Sequence, residues 1–355
     1  MKCPVCDSNM STLLCSCGYD ASRDYARYPT FAPLGPSAPV PLAREQMPLR
    51  CPDCGSARFV YRMREQTHTC ADCGRVLSER QIRRLHKSPI ESLAGGKFYS
   101  GIVMANGTAA AVGDNDFCQC RLEHWSGIRE LAFGHSHTVG LRWDGTVLCA
   151  GLNQDGVCNT EGWTGITAVA AGWAHTLGLT SQGTVVAVGT NSAGQLDVGH
   201  WRKVKAIAAG SHHCVALHED GTVSATGHDE YGQCQVQRWR NVKAIAAGIH
   251  HTVALHENGT VSTAGYSAFG LTEVSRWRNV KAIATGAYHT LGLTEDGRVL
   301  AAGVADDGRL NVSGWRNVKA IAAGADHTLG LTRDGRLLAV GANGSGQCNV
   351  QKLIP

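Results

Sequence analysis

Short apolar stretches separated by polar turns recur along residues 88–355. One unit contains VKAIAAG, then HTVALHE with alternating apolar and polar positions, then a tight turn and another apolar stretch. Alternation with a period of two over a few residues is typical of half-buried β-strands. The pattern therefore predicts short antiparallel strands and no helices in this part of the chain.

The strand unit repeats with a constant step of 38 residues. Its marker is a glycine followed three positions later by a histidine. The marker pairs are Gly134/His137, Gly172/His175, Gly210/His213, Gly248/His251, Gly286/His289 and Gly324/His327. One step earlier, Gly96 and Tyr99 open a degenerate copy, which brings the number of copies to seven. A fixed period of this length predicts a repeat architecture.

Glycine-containing turns divide each copy into strands. Asp144-Gly145 and Asn258-Gly259 are examples of the two-residue turn after the second strand, and such dipeptides favour hairpins. A further glycine ends the third strand, and a loop leads to an expected short fourth strand. Seven groups of four antiparallel strands predict an all-β fold, a seven-bladed β-propeller. An open β-solenoid is the alternative, although solenoids usually have shorter periods and parallel strands.

These residues resemble the regulator of chromosome condensation repeats, whose members are seven-bladed propellers. The resemblance rests on the Gly-x-x-His-Thr marker, the Asp-Gly hairpin, the loops Gly189–Gln195 and Gly341–Gln347, and a tryptophan nine residues before most marker glycines. The repeat is similar to the compact version of bacterial members. The eukaryotic founder exchanges nucleotide on a small GTPase through an inserted wedge, and the constant step leaves no room for one, so we do not expect that activity.

Paired cysteines near the N-terminus predict zinc binding. Cys51, Cys54, Cys70 and Cys73 form two Cys-x-x-Cys pairs, a spacing that lets four thiolates surround one Zn²⁺ in a zinc ribbon. The segment between the pairs predicts a hairpin. A shorter cluster of Cys3, Cys6, Cys15 and Cys17 predicts a second zinc site, with free thiols in a flexible tail as the alternative.

The composition divides the chain into five segments. We expect the first cysteine cluster in 1–20, a proline-rich spacer in 21–49, the zinc ribbon in 50–76, a basic linker or short helix in 77–87 and the propeller in 88–355. Residues 1–90 carry 13 Lys and Arg against 8 Asp and Glu, an excess that two four-thiolate zinc sites would offset. Apolar runs long enough for a secretory signal or a membrane span are absent, so we expect a cytoplasmic protein.

Aromatic residues predict a partner-binding surface. The loops between the first and second strands, and those after the third, lie at the same end of the strands and vary most between copies. They carry aromatic and imidazole side chains among polar residues, a composition typical of protein-binding surfaces. The candidates are Phe117, Trp173, His212, Tyr231, His250, Tyr266, Phe269 and Tyr288. A metal or small-ligand site at His212, His250, Tyr288 and Asp326 is the alternative, because His and Asp are ligand types.

Basic residues leave a nucleic-acid hypothesis open. The sequence WRNVK or WRKVK recurs in four copies and predicts a basic arc on the opposite face. Neighbouring acidic hairpins offer local neutralisation. The candidate phosphate contacts are Arg58, Arg62 and Arg64 in the ribbon, and Arg202, Lys203, Arg240, Arg278 and Arg316 in the arc.

Repeated polar residues do not indicate catalysis. A histidine present in almost every copy indicates a structural role in the repeat. We expect a buried imidazole that forms hydrogen bonds with neighbouring backbone groups. Cys120, Cys158, Cys234 and Cys348 share one repeat position and are expected to be small core residues. With no nucleophile–base group or phosphate-binding loop, the sequence predicts a non-enzymatic scaffold that binds a protein, or alternatively a nucleic acid, with no small-molecule substrate.

Overall fold

The computed structural model describes residues 59–62, 67–71, 73–78, 90–267 and 271–354. The described chain is all-β, with short 3₁₀ turns at Gln154–Gly156, Leu271–Arg276, Asp306–Gly308 and Val350–Leu353. Residues 90–354 form seven three-stranded sheets, numbered 1 to 7 in chain order, and each sheet follows one marker step. The all-β prediction is confirmed.

The strands of the seven sheets have nearly constant lengths. They are β4 (Ile90–Gly95), β5 (Tyr99–Met104) and β6 (Ala109–Gly113) in sheet 1; β7 (Ile128–Phe133), β8 (His137–Arg142) and β9 (Val147–Gly151) in sheet 2; β10 (Ile166–Ala171), β11 (His175–Thr180) and β12 (Val185–Gly189) in sheet 3; β13 (Val204–Ala209), β14 (His213–His218) and β15 (Val223–Gly227) in sheet 4; β16 (Val242–Ala247), β17 (His251–His256) and β18 (Val261–Gly265) in sheet 5; β19 (Val280–Thr285), β20 (His289–Thr294) and β21 (Val299–Gly303) in sheet 6; β22 (Val318–Ala323), β23 (His327–Thr332) and β24 (Leu337–Gly341) in sheet 7.

Each sheet is antiparallel, and its second strand lies in the middle. In sheet 4, His213 pairs with Gly227 across β14 and β15, and Val204 pairs with His218 across β13 and β14. A register shift follows the first residue of every first strand, as between Val204 and Ala206. The middle strand is buried along almost its whole length because sheets cover both of its faces.

The expected fourth strand does not form in the described sheets. After β12 the chain turns on itself instead: Asn191 Oδ1 accepts a hydrogen bond from the Leu196 amide at 2.7 Å. The Val198 amide then bonds the Leu196 carbonyl at 2.7 Å. These local bonds satisfy backbone groups that a strand would have paired with β12. The four-stranded expectation was wrong for this reason.

The sheets close into a ring. The first strand of each sheet contacts the first strand of the next, and β22 contacts β4. Sheet 7 and sheet 1 share a core that includes Leu331 and Ile102, and Val350 and Leu353 of the C-terminal 3₁₀ turn complete it. The Ala325 amide also bonds the Gly96 carbonyl at 3.0 Å across this junction. The first and last sheets of the repeat region therefore contact each other, and these contacts close the ring.

A separate three-stranded sheet precedes the ring. It consists of β1 (Phe59–Arg62), β2 (Thr67–Cys70) and β3 (Val76–Ser78), with Phe59 opposite Cys70. The hairpin predicted between the cysteine pairs is thus confirmed. Cys3, Cys6, Cys15, Cys17, the proline-rich spacer and most of the expected basic helix lie outside the described residues.

No helix in the described ranges is long and apolar enough to cross a membrane.

Candidate binding face of the ring

The marker glycine and histidine shape one end of each sheet. A Cβ on Gly172 would collide with the imidazole of His175 and with the Gly210 carbonyl of the next sheet, so only glycine fits there. The ring of the histidine packs against this bare backbone. The marker therefore brings the first-to-second turn of each sheet against the following sheet.

The marker histidines are buried, but their partners differ from the expectation. His137 Nε2 lies 3.0 Å from Thr176 Oγ1 of the next sheet, and that hydroxyl donates to the Val157 carbonyl at 2.8 Å. With its proton used, the hydroxyl accepts from Nε2–H. Burial, the largest cause, lowers the pKa of His137 to about 3. Bonding to neighbouring backbone was thus the wrong prediction, because the bond goes to a side chain that links two sheets.

One of these links is missing. At the sheet 3–sheet 4 junction Cys214 replaces the threonine, and both ring nitrogens of the buried His175 lack a hydrogen-bond partner in the described structure. Burial lowers the pKa of His175 to about 4. The five other junctions with a marker histidine keep the bond, as between His213 Nε2 and Thr252 Oγ1 at 2.9 Å, and at the sheet 1–sheet 2 junction the Tyr99 hydroxyl donates to the His137 carbonyl at 2.6 Å.

Two sets of loops make up one end of the ring. Residue pairs such as Ser136 and Leu152 join them, since the Leu152 amide bonds the Ser136 carbonyl at 2.9 Å. We call this end the channel face. It comprises the first-to-second turns 96–98, 134–136, 172–174, 210–212, 248–250, 286–288 and 324–326, and the third-strand loops 114–117, 152–156, 190–194, 228–232, 266–267, 304–309 and 342–346.

A cavity of about 200 Å³ opens at the centre of the channel face. Its wall contains one turn from each of the seven sheets, and Lys97, His135, Trp173, Tyr288 and Asp326 supply its larger side chains. Sequence reasoning missed Lys97 and His135. Both residues directly follow a marker glycine, Gly96 or Gly134, and this repeat position carries a large side chain in only some of the copies.

Ring contacts run from one sheet to the next across this face. Ring centroids are 4.0 Å apart for His135 and Trp173, and 6.1 Å apart for Trp173 and His212. Further along, the Tyr231 centroid lies 4.8 Å from that of His250 and 5.4 Å from that of Tyr266. His250 and Tyr288 follow at 6.3 Å. These seven residues, together with His228 and Lys97, are called the aromatic arc.

Lys97 lies at one end of the aromatic arc. Its Nζ is 2.6 Å from His135 Nε2, 5.0 Å from the Trp173 ring centroid and 4.6 Å from that of Phe98. Burial lowers the pKa of Lys97, although Asp114 and Asp326 oppose that shift. Burial and the nearby Lys97 charge lower the pKa of His135 to about 4, so its imidazole is neutral at pH 7 and accepts from the ammonium.

His212 and His250, in the middle of the arc, are also neutral at pH 7. Burial is the largest cause that lowers the pKa of His212 and of His250, and His228 lowers both further. His228 itself accepts a hydrogen bond from Gln233 Nε2 at Nδ1, at 2.9 Å. Two exposed aromatic rings, Trp173 at 41% and Tyr231 at 43%, stand above these histidines.

An ion pair lies beside the cavity at sheets 6 and 7. Arg309 Nη1 donates to Asp326 Oδ1 at 2.7 Å, and its Nη2 donates to Asp307 Oδ2 at 2.9 Å. The Asp326 carboxylate therefore forms an ion pair with Arg309. Within the described ranges, no group of three or more His, Cys, Asp or Glu residues has an arrangement that could hold a metal ion. The metal alternative at His212, His250 and Asp326 has no geometric support.

The channel face is acidic. Its carboxylates are Asp114, Asp116, Asp155, Asp229, Glu230, Asp306, Asp307 and Asp326. Against these eight stand Lys97 and Arg309, so the segments listed for this face have a formal charge of −6 with neutral histidines. Aromatic rings and negative charge thus share one surface.

The opposite end, which we call the hairpin face, is basic. It comprises the hairpin turns 105–108, 143–146, 181–184, 219–222, 257–260, 295–298 and 333–336, and the tryptophan loops 124–127, 162–165, 200–203, 238–241, 276–279 and 314–317. These segments contain ten Lys and Arg against seven Asp and Glu, a formal charge of +3. The two ends of the ring therefore carry opposite charge.

The arginines of the predicted basic arc brace their own loops. Arg240 Nη1 donates to the carbonyls of Gln237 and Trp239 at 2.7 and 2.8 Å. Arg202, Arg278 and Arg316 make the same pair of backbone bonds. Asn241 follows with a φ of 55°, and Lys203 adopts this conformation in its own loop with a φ of 53°. Local acidic hairpins do not pair with these four arginines in the described structure, contrary to the expected neutralisation.

The structure brings most of the candidate partner-binding residues together. Trp173, His212, Tyr231, His250, Tyr266 and Tyr288 belong to the aromatic arc, and Phe117 is half-buried in the sheet 1 loop of the same face. Phe269 lies outside the described residues, as do Arg58 and Arg64. Arg62 is the last residue of β1.

The cysteines of the ring do more than fill the core. Cys158 is buried, as expected of a small core residue, and it also forms a disulfide bond with Cys149 of β9. Sheet 2 is the copy in which both repeat positions are cysteine. Cys120, Cys234 and Cys348 instead donate their thiols to backbone carbonyls at 3.1 to 3.4 Å.

The second cysteine pair of the ribbon lies on a tight turn. The Gly74 amide bonds the Cys70 carbonyl at 3.0 Å, and the Cys70 amide bonds the Arg75 carbonyl at 2.8 Å. Gly74 has a φ of 75°, which favours glycine. Two cysteines at this spacing on a tight turn are the ligand arrangement of zinc ribbons, so these residues fit zinc. Cys51 and Cys54 lie outside the described residues.

A closed ring of antiparallel sheets, each made from one copy of a short repeat, defines the class of protein: a β-propeller built from sequence repeats. The family profile of the regulator of chromosome condensation repeat matches residues 166–195, 204–233, 242–271, 280–309 and 318–347. These five segments are regulator of chromosome condensation repeats. The TFIIB zinc-binding profile matches residues 49–85.

Solved structures share the fold of the ring. Prp20p from Saccharomyces cerevisiae, described with its binding to Gsp1p and histones, is 18% identical with a TM-score of 0.56, over 74% of this chain and 85% of that chain. Human WBSCR16 is 21% identical with a TM-score of 0.57, over 69% and 88%. The ectodomain of the Arabidopsis thaliana receptor kinase ACR4 is 18% identical with a TM-score of 0.60, over 73% and 97%. A comparison with curated protein sequences finds no match.

Proposed function

We propose that this chain is a non-enzymatic, cytoplasmic scaffold whose ring is a seven-bladed propeller and whose channel face binds a protein partner. The observation that carries the proposal is the aromatic arc, which links six sheets across one face and exposes Trp173 and Tyr231. Interface residues that contribute most to affinity are typically aromatic and cluster over well-packed surroundings. The rigid ring holds these side chains in place, so little conformational entropy is lost on binding.

The zinc ribbon adds a second contact in this proposal. Cys51, Cys54, Cys70 and Cys73 hold one zinc ion, and Cys3, Cys6, Cys15 and Cys17 hold a second. So small a module lacks a large apolar core, and metal binding therefore supplies its folding free energy. Metal analysis of the purified protein, with Cys73→Ser as the variant, measures the number of ions bound.

A nucleic-acid function is the second candidate, favoured by the TFIIB zinc-binding match and by the +3 charge of the hairpin face. The backbone bonds of Arg240 and its three equivalents argue for a structural use of these side chains. Their remaining guanidinium nitrogens still present positive charge. Steep salt dependence is the signature of this alternative.

The test is a pull-down from native lysate with the tagged full chain, nuclease treatment and identification by mass spectrometry. Tyr231→Ala combined with Trp173→Ala removes two exposed rings from the channel face. Arg240→Ala combined with Arg278→Ala is the matched double variant on the hairpin face. We expect a stoichiometric protein that survives nuclease and is lost only with the channel-face variant. Loss with the hairpin-face variant, or recovery of nucleic acid alone, would contradict the proposal.

A further inference from the structure

Sheet 2 contains a covalent bond that the other copies of the repeat lack the residues to form. The disulfide joins Cys149, in the middle of β9, to Cys158, and their Cα atoms are 5.4 Å apart. In the other six copies the position of Cys149 is occupied by alanine or threonine, at Ala111, Ala187, Ala225, Thr263, Ala301 and Ala339. The fold of the repeat therefore does not require this bond.

The position of Cys158 carries a thiol in three further copies. Cys120, Cys234 and Cys348 each donate this thiol to a backbone carbonyl at 3.1 to 3.4 Å. Three thiols and one disulfide thus occupy equivalent positions in one ring. In the cytoplasm, the proposed location on which this inference rests, thiols are kept reduced, and a disulfide is usually transient and responds to the redox state.

The disulfide holds a loop that contacts sheet 3. The Val157 carbonyl, directly before Cys158, accepts a hydrogen bond from Thr176 Oγ1 at 2.8 Å. Two residues earlier, Asp155 Oδ2 accepts from the Thr190 hydroxyl at 2.9 Å. Both hydroxyls belong to sheet 3. The bond between the cysteines therefore fixes one end of loop 152–157 against β9, while side chains of the next sheet hold its middle.

The same loop lines a second cavity of the channel face. Leu152, Asp155 and Val157 belong to the wall of this cavity, which has a volume of about 270 Å³ and is also lined by Trp173. Trp173 is one of the two exposed rings of the aromatic arc. The order of loop 152–157 therefore affects the surroundings of an exposed ring on the channel face.

From these contacts we propose that Cys149 and Cys158 form a reversible redox site that controls the order of loop 152–157. The oxidant is a low-molecular-weight disulfide such as oxidised glutathione. Oxidation of the pair fixes the loop, and reduction by thiols loosens it. This site goes beyond the proposed function, because it operates whether or not a partner is bound.

The reaction is a thiol–disulfide exchange in two steps. Cys149 is half-buried and Cys158 is buried, so a small oxidant reaches Cys149 first. The Cys149 thiolate attacks one sulfur of the oxidant, which forms a mixed disulfide and releases one thiol. The Cys158 thiolate then attacks Cys149 Sγ and displaces the second thiol. Two electrons and two protons pass from the cysteine pair to the oxidant, which becomes two thiols.

A redox titration of the purified full chain tests the site. The native protein is equilibrated with graded ratios of reduced to oxidised glutathione, quenched with acid, unfolded and alkylated, and peptide mass spectrometry measures the fraction of Cys149 bonded to Cys158. We expect this fraction to change reversibly from mostly thiol to mostly disulfide across the series. A bond that the native protein keeps in excess dithiothreitol, or a pair that stays reduced at every ratio, would overturn the inference.

Hydrogen–deuterium exchange tests the effect on the loop. Exchange in 152–157 should be about threefold to tenfold slower in the oxidised form, and exchange in 190–195, the equivalent loop of sheet 3, should be the same in both forms. The oxidised form should also melt about 3–7 °C higher, because the bond closes a loop in the unfolded chain. Equal exchange in 152–157 in both forms would refute the control of the loop by the cysteine pair.

Two variants separate this site from the other thiols. Cys149→Ala introduces the residue that five other copies carry, so it should fold and exchange at the rate of the reduced form in every buffer. Cys234→Ala removes a thiol from the repeat position of Cys158 in sheet 4 and should keep the full response. A response that persists in Cys149→Ala would contradict the inference. These measurements involve no partner, so a failed pull-down leaves their outcome unchanged.

Discussion

Hydrogen bonds between neighbouring sheets depend on single residues. The marker histidine of one sheet donates to a hydroxyl of the next, as His251 Nε2 does to Thr290 Oγ1 at 3.1 Å and His327 does to Ser100 at the ring junction. The sequence predicted that these histidines are buried, because a residue that recurs in almost every copy has a structural role in each copy. It missed the partner, since the hydroxyl lies 39 positions away from most of them and no local pattern joins the two.

Cys214→Thr should stabilise the protein. The new hydroxyl would accept from His175 Nε2–H, which now lacks a partner, and would resemble Thr252, which donates to the Gln233 carbonyl at 2.7 Å. A buried hydrogen bond contributes about 1 kcal/mol, so we expect the free energy of unfolding to rise by about that amount. Urea unfolding measures it. The reverse change, Thr252→Cys, should lower stability, and equal stability of both variants and the parent would contradict the role of these links.

Stability should fall as the pH is lowered. The folded-state pKa of His213 is about 3 and that of His251 about 4, against 6.5 for an exposed histidine, because burial disfavours the charged ring. The unfolded chain therefore binds more protons below pH 6.5, and stability decreases as the pH falls from 6.5 towards 3. Each such histidine contributes up to about 1.4 kcal/mol per pH unit in this window. Urea midpoints at pH 7.5 and 5.5 measure the effect, and His200→Gln, at an exposed position, should leave it unchanged.

Strand elements followed from the sequence almost residue by residue. The period-two pattern and the two glycines of each copy predicted three strands per sheet because these features act within a few residues. The fourth strand failed because side chains such as Asn191 satisfy the backbone locally. The disulfide of Cys149 and Cys158 was equally out of reach, since nothing in the spacing of these two residues distinguishes a bonded pair from two thiols.

Gly172→Ala should destabilise the junction of sheets 3 and 4. Its Cβ would overlap the His175 ring and the Gly210 carbonyl, and overpacking of this kind costs about 1–3 kcal/mol. Gly199→Ala is the matched control, because a Cβ there meets nothing within 4 Å. Thermal unfolding should show a lower melting temperature for the first variant alone. A similar loss in both would mean that flexibility, and not close packing, selects glycine at the marker.

At the scale of the whole molecule, the sequence predicted the ring of sheets more completely than it predicted the binding surface. The constant 38-residue step implied that the copies are equivalent and predicted a propeller, but it did not predict how the first and last sheets join. The channel face could be located in advance because strand direction assigns its loops. Its cavity could not, because Lys97 and His135 converge with Trp173 only after the ring closes. Charge separation between the two ends also became visible only when each loop had been assigned to its face.

The central claim is that the partner occupies the channel face. Hydrogen–deuterium exchange of the full chain, measured with and without the protein recovered in the pull-down, tests it most directly. We expect slower exchange in segments 172–174, 228–232, 248–250 and 266–267, which contain Trp173, Tyr231 and their neighbours in the aromatic arc, and unchanged exchange in the hairpin turns. Protection confined to the hairpin turns and tryptophan loops, with the channel face unaffected, would contradict the account.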